Sequence, residues 1–309
     1  MKIFINLMLC LPLYCFSQTV VSEEVTLYTN AIELPGTLSY VDTNKPMPLV
    51  LFIHGSGAID RNGNQGPMMQ GNYLKMLADS LNKNGIACYR YDKRTANPKN
   101  ADKHEGILPA DFVTDVQQAM HHFKADKRFT NLHIIGHSQG SLVGMLAIDQ
   151  HIKSYISIAG VSRPINEILV EQVTTQDSTL GSITAKHVQE LVQSDTILSV
   201  NPYLLSLFAP QNQKFIKNWK SYDPLMEIAR LKLPILIING NMDLQVSQEE
   251  AIALQWANPS STIKIIPQMN HVLKTITSAD ENLKSYVDAS FAISQELVAV
   301  ITSFIKENE

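Results

Sequence analysis

Cysteine is nearly absent from this sequence. Of three in 309 residues, Cys10 and Cys15 fall in the N-terminal run "IFINLMLCLPLYCF". Lys2 precedes that run, and Cys15 and Ser17 sit at the −3 and −1 positions of a cut before Gln18, so residues 1–17 read as a secretory signal. An uncleaved anchor fits less well, because the run is short beside a span of about 20 residues and contains Pro12. A lipid-modified Cys15 fits less well still, with bulky Tyr14 before it. Once the signal is removed only Cys88 remains; an internal disulfide is excluded and the fold must stand on packing. Cys88, inside "IACYRYD", reads as a small buried hydrophobe and not as a catalytic thiol.

Charge of one sign never accumulates. Charged residues make up 17% of the chain and the net charge is −4, which argues against a nucleic-acid partner and for an ordinary globular protein. No glycine-rich phosphate loop or dinucleotide fingerprint follows the first strand-like run, so no cofactor is implied. His121 and His122 are neighbours within a helical stretch and point apart, so no metal site is implied either.

What is present is a rhythm. "VTLYTNAIELPGTLSYVD" alternates around Pro35–Gly36 and predicts an antiparallel hairpin. Thereafter "PLVLFIH" (48–54), "IACYRYD" (86–92), "LHIIGHS" (132–138), "SYISIAG" (154–160), "PILIING" (234–240) and "STIKIIP" (261–267) are short, nearly continuous apolar runs, the signature of strands buried on both faces. Leu74, Leu77, Ala78 and Leu81 recur at helical spacing, as do Phe112, Val113, Val116, Ala119, Met120 and Phe123. The alternation predicts an α/β fold with a mostly parallel central sheet flanked by helices. Residues 163–222 contain helix-like pieces and no strand, too long a stretch for a loop, and predict an inserted helical cap between core segments 18–162 and 223–309.

Within this frame "IIGHSQGSLVG" (134–144) places Ser138 at the end of a buried strand and at the start of a helix. A G-x-S-x-G match means little alone; at a strand–turn–helix elbow, Gly136 and Gly140 allow the close approach that lifts the serine hydroxyl clear of the sheet. A serine is a nucleophile only when a base takes its proton and an acid orients that base. Asp243 follows the strand "PILIING" and His271 follows "STIKIIP", in the order the chemistry asks for and on the same sheet edge. The loop His54-Gly55-Ser56-Gly57 offers backbone N–H groups to a developing oxyanion, with Ser56 first and Gly57 close behind, joined by the N–H of Gln139. Asp223, which also precedes a strand, reads as a turn residue before Pro224. His54 and His137 read as structural; Asp60 and Arg61 read as loop-holding residues ahead of substrate contacts, and Asp92 and Arg94 carry the same ambiguity.

These residues together resemble the α/β-hydrolase superfamily, and within it the bacterial carboxylesterases in which an HGSG-x-x-DR-x-GN loop follows the first long strand. Here the loop is "HGSGAIDRNGN" (54–64) and the following strand reads "YRYDKR"; the resemblance spans roughly Leu27 to Lys274 and is weakest in the cap. Where the family continues YDKRG-x-G-x-S, this chain has "YDKRTANPKN", with Thr95 and Ala96 in place of the glycine turn. The expectation is an exported serine hydrolase, periplasmic or secreted, that cleaves small-molecule carboxylic esters through an acyl-enzyme. Its rivals are a prolyl-oligopeptidase-type serine peptidase, an acyltransferase or thioesterase, and a binding protein that has lost turnover. Tyr203, Leu204, Leu205, Phe208, Phe215 and Trp219 either shape an apolar substrate pocket or pack the cap onto the core.

Overall fold

The computed structural model describes residues 19–309; the signal reading of residues 1–17 lies outside the described residues. The described residues open with four short strands: Val20–Glu24 (β1), Leu27–Thr29 (β2), Ile32–Leu34 (β3) and Gly36–Val41 (β4). There follow Met47–Ile53 (β5), Tyr73–Asn82 (α1), Ala87–Tyr91 (β6), Pro109–Phe123 (α2), Phe129–His137 (β7), Gln139–Ala147 (α3) and Ile152–Ile158 (β8). Between β8 and the next strand run helices Ile165–Gln176 (α4), Ser178–Ser194 (α5), Leu205–Phe208 (α6), Pro210–Trp219 (α7) and Pro224–Arg230 (α8). Ile235–Gly240 (β9), Gln248–Ala257 (α9), Thr262–Ile266 (β10), Ala279–Ser285 (α10) and Gln295–Glu307 (α11) complete the chain.

Eight strands form one sheet in the order β1-β4-β6-β5-β7-β8-β9-β10. From β6 to β10 every pairing is parallel, while β4 runs antiparallel to both β6 and β1. Successive side chains of β5 alternate between two apolar layers, because side chains in a strand point to opposite faces. Leu49, Leu51 and Ile53 pack with Phe112, Val116, Leu142 and Leu254 on one face, and Val50 and Phe52 pack with Leu74, Leu77, Leu297 and Ile301 on the other. The six apolar runs read from the sequence are β5 to β10, and the two helical spacings are α1 and α2.

The first hairpin departs from expectation. Its turn falls at Asn30–Ala31, where β2 pairs with β3 in the register Leu27↔Leu34. Asn30 supplies the left-handed backbone (φ 55°), a conformation asparagine tolerates better than most residues. Pro35 separates β3 from β4, and Gly36 opens a strand that pairs with β6, opposite Tyr91. There a Cβ on Gly36 would run into the Tyr89 ring. Strand β1 was not expected either: "VVSEE" lies at the sheet edge, half exposed along its length, and its period of two is too weak to read.

Parallel strands carry their carboxyl ends to one edge of the sheet, where open α/β sheets bind ligands. The segments after β5, β7, β9 and β10 therefore meet there, and they hold Ser56, Ser138, Asp243 and His271. Behind that edge, Arg94 follows β6 and reaches Asp115 of α2, its Nε and an Nη donating at 2.8 and 2.6 Å. Both residues are buried. Burial pushes the Asp115 carboxyl up despite the guanidinium beside it. Removing one partner strands the other charge, so Asp115→Ala should lower unfolding stability by about 3 kcal/mol in urea titrations; a loss below about 1 kcal/mol would mean the pair does not anchor α2.

Candidate active site

Ser138 caps the end of β7 with a left-handed backbone, φ 53° and ψ −119°, which for a residue with a Cβ costs on the order of 1–3 kcal/mol. Two glycines make the turn possible. A Cβ on Gly136 would strike the Gly140 carbonyl, and one on Gly140 would strike the carbonyls of Ile53 and His54. The Ser138 N–H donates to the Ile158 carbonyl at 2.9 Å and its own carbonyl accepts from Ser141 N–H at 2.9 Å, so both sides of the strained residue are tied down.

Asp243 and His271 are brought together. His271 Nδ1 lies 2.8 Å from Asp243 Oδ2, and both side chains are buried. The carboxylate accepts, which puts the proton on Nδ1 and leaves Nε2 free as the basic nitrogen. Asp243 Oδ1 in turn accepts from the N–H groups of Gln245 and Val246 at 2.8 and 2.9 Å. Burial alone would raise this carboxyl, but the His271 charge and hydrogen bond, with those two N–H groups, outweigh it and hold it below the usual carboxylate range. Ser138 and His271 open onto one cavity of about 190 Å³.

The loop that delivers His271 is fixed by groups with no motif in the sequence. The Asn270 side chain accepts from Lys274 N–H at 3.0 Å and donates to Asn282 and Ser285 at 3.1 and 2.7 Å. Lys274 is fully buried and its Nζ donates to the carbonyls of Ser285 and Asp288 at 3.1 and 2.6 Å. Burial pushes its ammonium down to about 8. His137 is a strut and not a second base: its Nε2 donates to the His271 carbonyl at 2.9 Å, and its Nδ1 lies 3.3 Å from the Tyr73 hydroxyl. Burial, with His271 adding to it, pushes His137 down to about 3 and keeps it neutral. His54, equally buried and pushed down to about 3, packs edge-on against Tyr91.

Of the three proposed oxyanion donors, Ser56 is in the cavity wall beside Gly55. Gly57 has φ 96° and is not in that wall, and Gln139 contributes only the first N–H of α3. The surrounding acids and bases hold this loop and do not enter the cavity. Asp60 Oδ1 accepts from the N–H groups of Asn62 and Asn64 at 2.8 and 2.9 Å. Arg61 grips Asp92 through Nε and an Nη, each at 3.0 Å, and Thr95 Oγ1 reaches the Gly57 carbonyl at 3.4 Å. Asp223 caps α8 by accepting from Leu225 N–H at 2.9 Å. Cys88 is buried, its thiol pushed well up by desolvation, and His121 and His122 lie on the exposed face of α2.

Phe208, Phe215 and Trp219 of the 163–222 segment pack inward. Leu204 and Phe208 join Leu191, Ile197 and Ile216 in a separate small core. Phe215 packs between Trp219 (tilted) and Phe112 of α2 (edge-on), with ring centroids at 5.3 and 5.8 Å. Tyr203 and Leu205 are exposed. None of the six lines the cavity; Gln172 of α4 does, with Gln65, Gln245 and Tyr286.

Parallel sheet, elbow serine and buried Asp–His pair define an α/β hydrolase fold. The profile of the serine aminopeptidase S33 family (Hydrolase_4) matches residues 66–227, just over half of the chain, and the chain belongs to that family. Esterase EstD of Thermotoga maritima is 26% identical over 255 residues, covering 81% of this chain. This chain spans 60% of that relative's length. Among solved structures, Est1E from Butyrivibrio proteoclasticus superposes with a TM-score of 0.58 at 17% identity, over 92% of this chain and 98% of that one. XC6422 from Xanthomonas campestris, an α/β serine hydrolase, superposes with a TM-score of 0.53 at 13% identity, over 93% and 94% of the two chains.

The lowered Asp243 carboxyl has a pH consequence. A folded-state value below the unfolded one, about 3.9, contributes stability that is present above about pH 4 and lost as pH falls through the folded value. The stability gap between the protein and Asp243→Asn should therefore hold down to about pH 4 and shrink as pH falls below it in parallel urea titrations. A gap that widens on acidification contradicts the assignment.

Proposed function

We propose that this protein is a serine hydrolase that cleaves carboxylic esters of short, neutral acyl groups through an acyl-enzyme. The observation that carries the reading is the strained Ser138 elbow facing one small cavity with His271, whose other nitrogen is held by Asp243. Ser138 Oγ attacks the ester carbonyl as His271 Nε2 takes its proton; Asp243 keeps the imidazole in the required tautomer and stabilises the imidazolium. The carbonyl oxygen, now anionic, is held by the N–H groups of Ser56 and Gln139. His271 returns the proton to the departing alcohol, and water, activated by the same nitrogen, releases the acid and restores Ser138.

Size and lining support the substrate class. A cavity of about 190 Å³ lies below the roughly 300–1,000 Å³ usual for larger organic ligands, which favours short acyl chains. Its wall carries Gln65, Gln172, Gln245 and Tyr286 but, among the described residues, no aspartate or glutamate. A peptidase that holds a free α-ammonium needs a carboxylate there, since a buried cation without a partner is costly. This favours neutral esters over aminoacyl substrates, whatever the family's name. The helices of residues 163–222 act as a cap that contributes Gln172 to the pocket. Export rests on the pattern of residues 1–17.

The test is a p-nitrophenyl ester series from acetate to decanoate, run beside aminoacyl p-nitroanilides. Acetate and butyrate should give the highest kcat/KM, and the anilides should give background rates. Ser138→Ala should lower ester turnover by about a million-fold and Asp243→Asn by about ten thousand-fold. Turnover that survives in Ser138→Ala, or anilides cleaved in preference to esters, overturns the reading.

A further inference from the structure

Lys93 follows β6, is buried, and lies outside the cavity wall. Its Nζ donates to two acceptors, the Gly55 carbonyl at 2.7 Å and the Gln139 side-chain carbonyl at 2.5 Å. Its own backbone N–H donates to the Ile59 carbonyl at 3.1 Å, and its ammonium sits 4.5 Å from the centre of the Phe112 ring. The two acceptors are not arbitrary. Gly55 C=O and Ser56 N–H belong to a single peptide unit, which is planar and trans, so its carbonyl and its N–H point in opposite directions. A cation that fixes the carbonyl on the far side of the loop fixes the N–H toward the cavity, and among the described residues no protein acceptor takes that N–H. The second acceptor belongs to the residue whose backbone N–H is the other proposed oxyanion donor.

We infer that Lys93 is a positioning residue that orients the oxyanion hole from behind, holding the Gly55–Ser56 peptide and the first residue of α3 in one fixed relation. The inference rests on the acyl-transfer reading above. Lys93 touches neither substrate nor reacting atoms. It acts by making the two N–H donors converge before the oxyanion forms, the preorganisation on which electrostatic stabilisation of a transition state depends. A hydrogen bond accepted by a peptide carbonyl also polarises the N–H of the same unit, strengthening it as a donor. The substrate's ground-state carbonyl gains less from this than the developing anion does. The effect therefore falls on kcat and spares KM.

Lys93→Met keeps the stem and removes the donor. Its kcat on a p-nitrophenyl ester should fall about 10- to 100-fold, a part of the 10²–10³ lost when an oxyanion donor is deleted outright. KM should stay within about threefold, and unfolding should stay cooperative, with any fall in Tm from the Gly55 carbonyl left without its donor too small to account for the loss of kcat. The rate at which a fluorophosphonate modifies Ser138 should fall by the same factor. In that reaction the Ser138 Oγ–P bond forms, fluoride leaves and the serine proton passes to His271, with the phosphoryl oxygen in the oxyanion site. Lys93→Gln, which retains a shorter donor, should lose less than Lys93→Met with the same pattern, and it carries the test should Lys93→Met fail to fold. Wild-type kcat and phosphonylation rates in a folded variant overturn the inference, as does a loss of kcat that appears only with a matching loss of Tm and rise in KM. Phosphonylation needs no natural ester, so a wild type that is labelled at Ser138 but hydrolyses none of the series overturns the substrate reading alone.

Discussion

The close approach of α3 to β7 at Gly136 and Gly140 is the constraint on which the rest of the site depends. It forces Ser138 into a left-handed backbone that its own side chain disfavours, and the sheet must hold it there. Hydrogen bonds to Ile158 and Ser141 do so locally. The strain is bearable because β7 lies in the middle of the sheet between β5 and β8, where packing on both faces leaves no softer conformation to relax into. From that fixed point, each neighbouring strand needs only to end at the right height for its following loop to reach the serine.

Those loops are long and irregular, and each is immobilised by a buried polar side chain. Lys93 holds the loop after β5, Asn239 donates to the carbonyls of Val246 and Ser247 to hold the loop carrying Asp243, and Lys274 with Asn270 holds the loop carrying His271. Two of these are lysines, and burial pushes their ammonium groups down to about 7 and about 8. Burying a cation is costly even when it is hydrogen-bonded, and an apolar core of the same volume is often the more stable choice. Their placement behind the site and outside the cavity wall fits a role in geometry: stability is given up so that three separate loops keep their relative positions to a fraction of an ångström.

The sequence was most legible where one physical signal dominates. Strands buried on both faces cannot avoid being continuously apolar, so β5 to β10 were all visible, and the elbow demands small residues at two fixed positions. The hairpin was misplaced because Pro35–Gly36 is the louder turn signal, yet the pairing β2/β3 closes over Asn30, whose left-handed conformation leaves no composition signature. An edge strand such as β1 buries too little to impose a clear alternation. The pocket lining was illegible for a different reason. Leu204, Phe208 and Trp219 look like a substrate site in one dimension, but their apolar area is used to join the helices to each other and to α2. The cavity is instead walled by glutamines from three distant segments, which only the tertiary arrangement brings together. For Lys93 a signal did exist: a lysine directly after a buried strand, between Asp92 and Arg94, has few ways to satisfy its charge except by turning inward.

The most direct test of the central geometry is a crystal structure of the protein with a small alkylboronic acid. A tetrahedral boronate bonded to Ser138 Oγ is expected, with one boron-bound oxygen within about 3 Å of the N–H groups of both Ser56 and Gln139 and another facing His271 Nε2. A boronic acid left trigonal and unbonded, or an adduct whose oxygens turn away from Ser56 and Gln139, would contradict it.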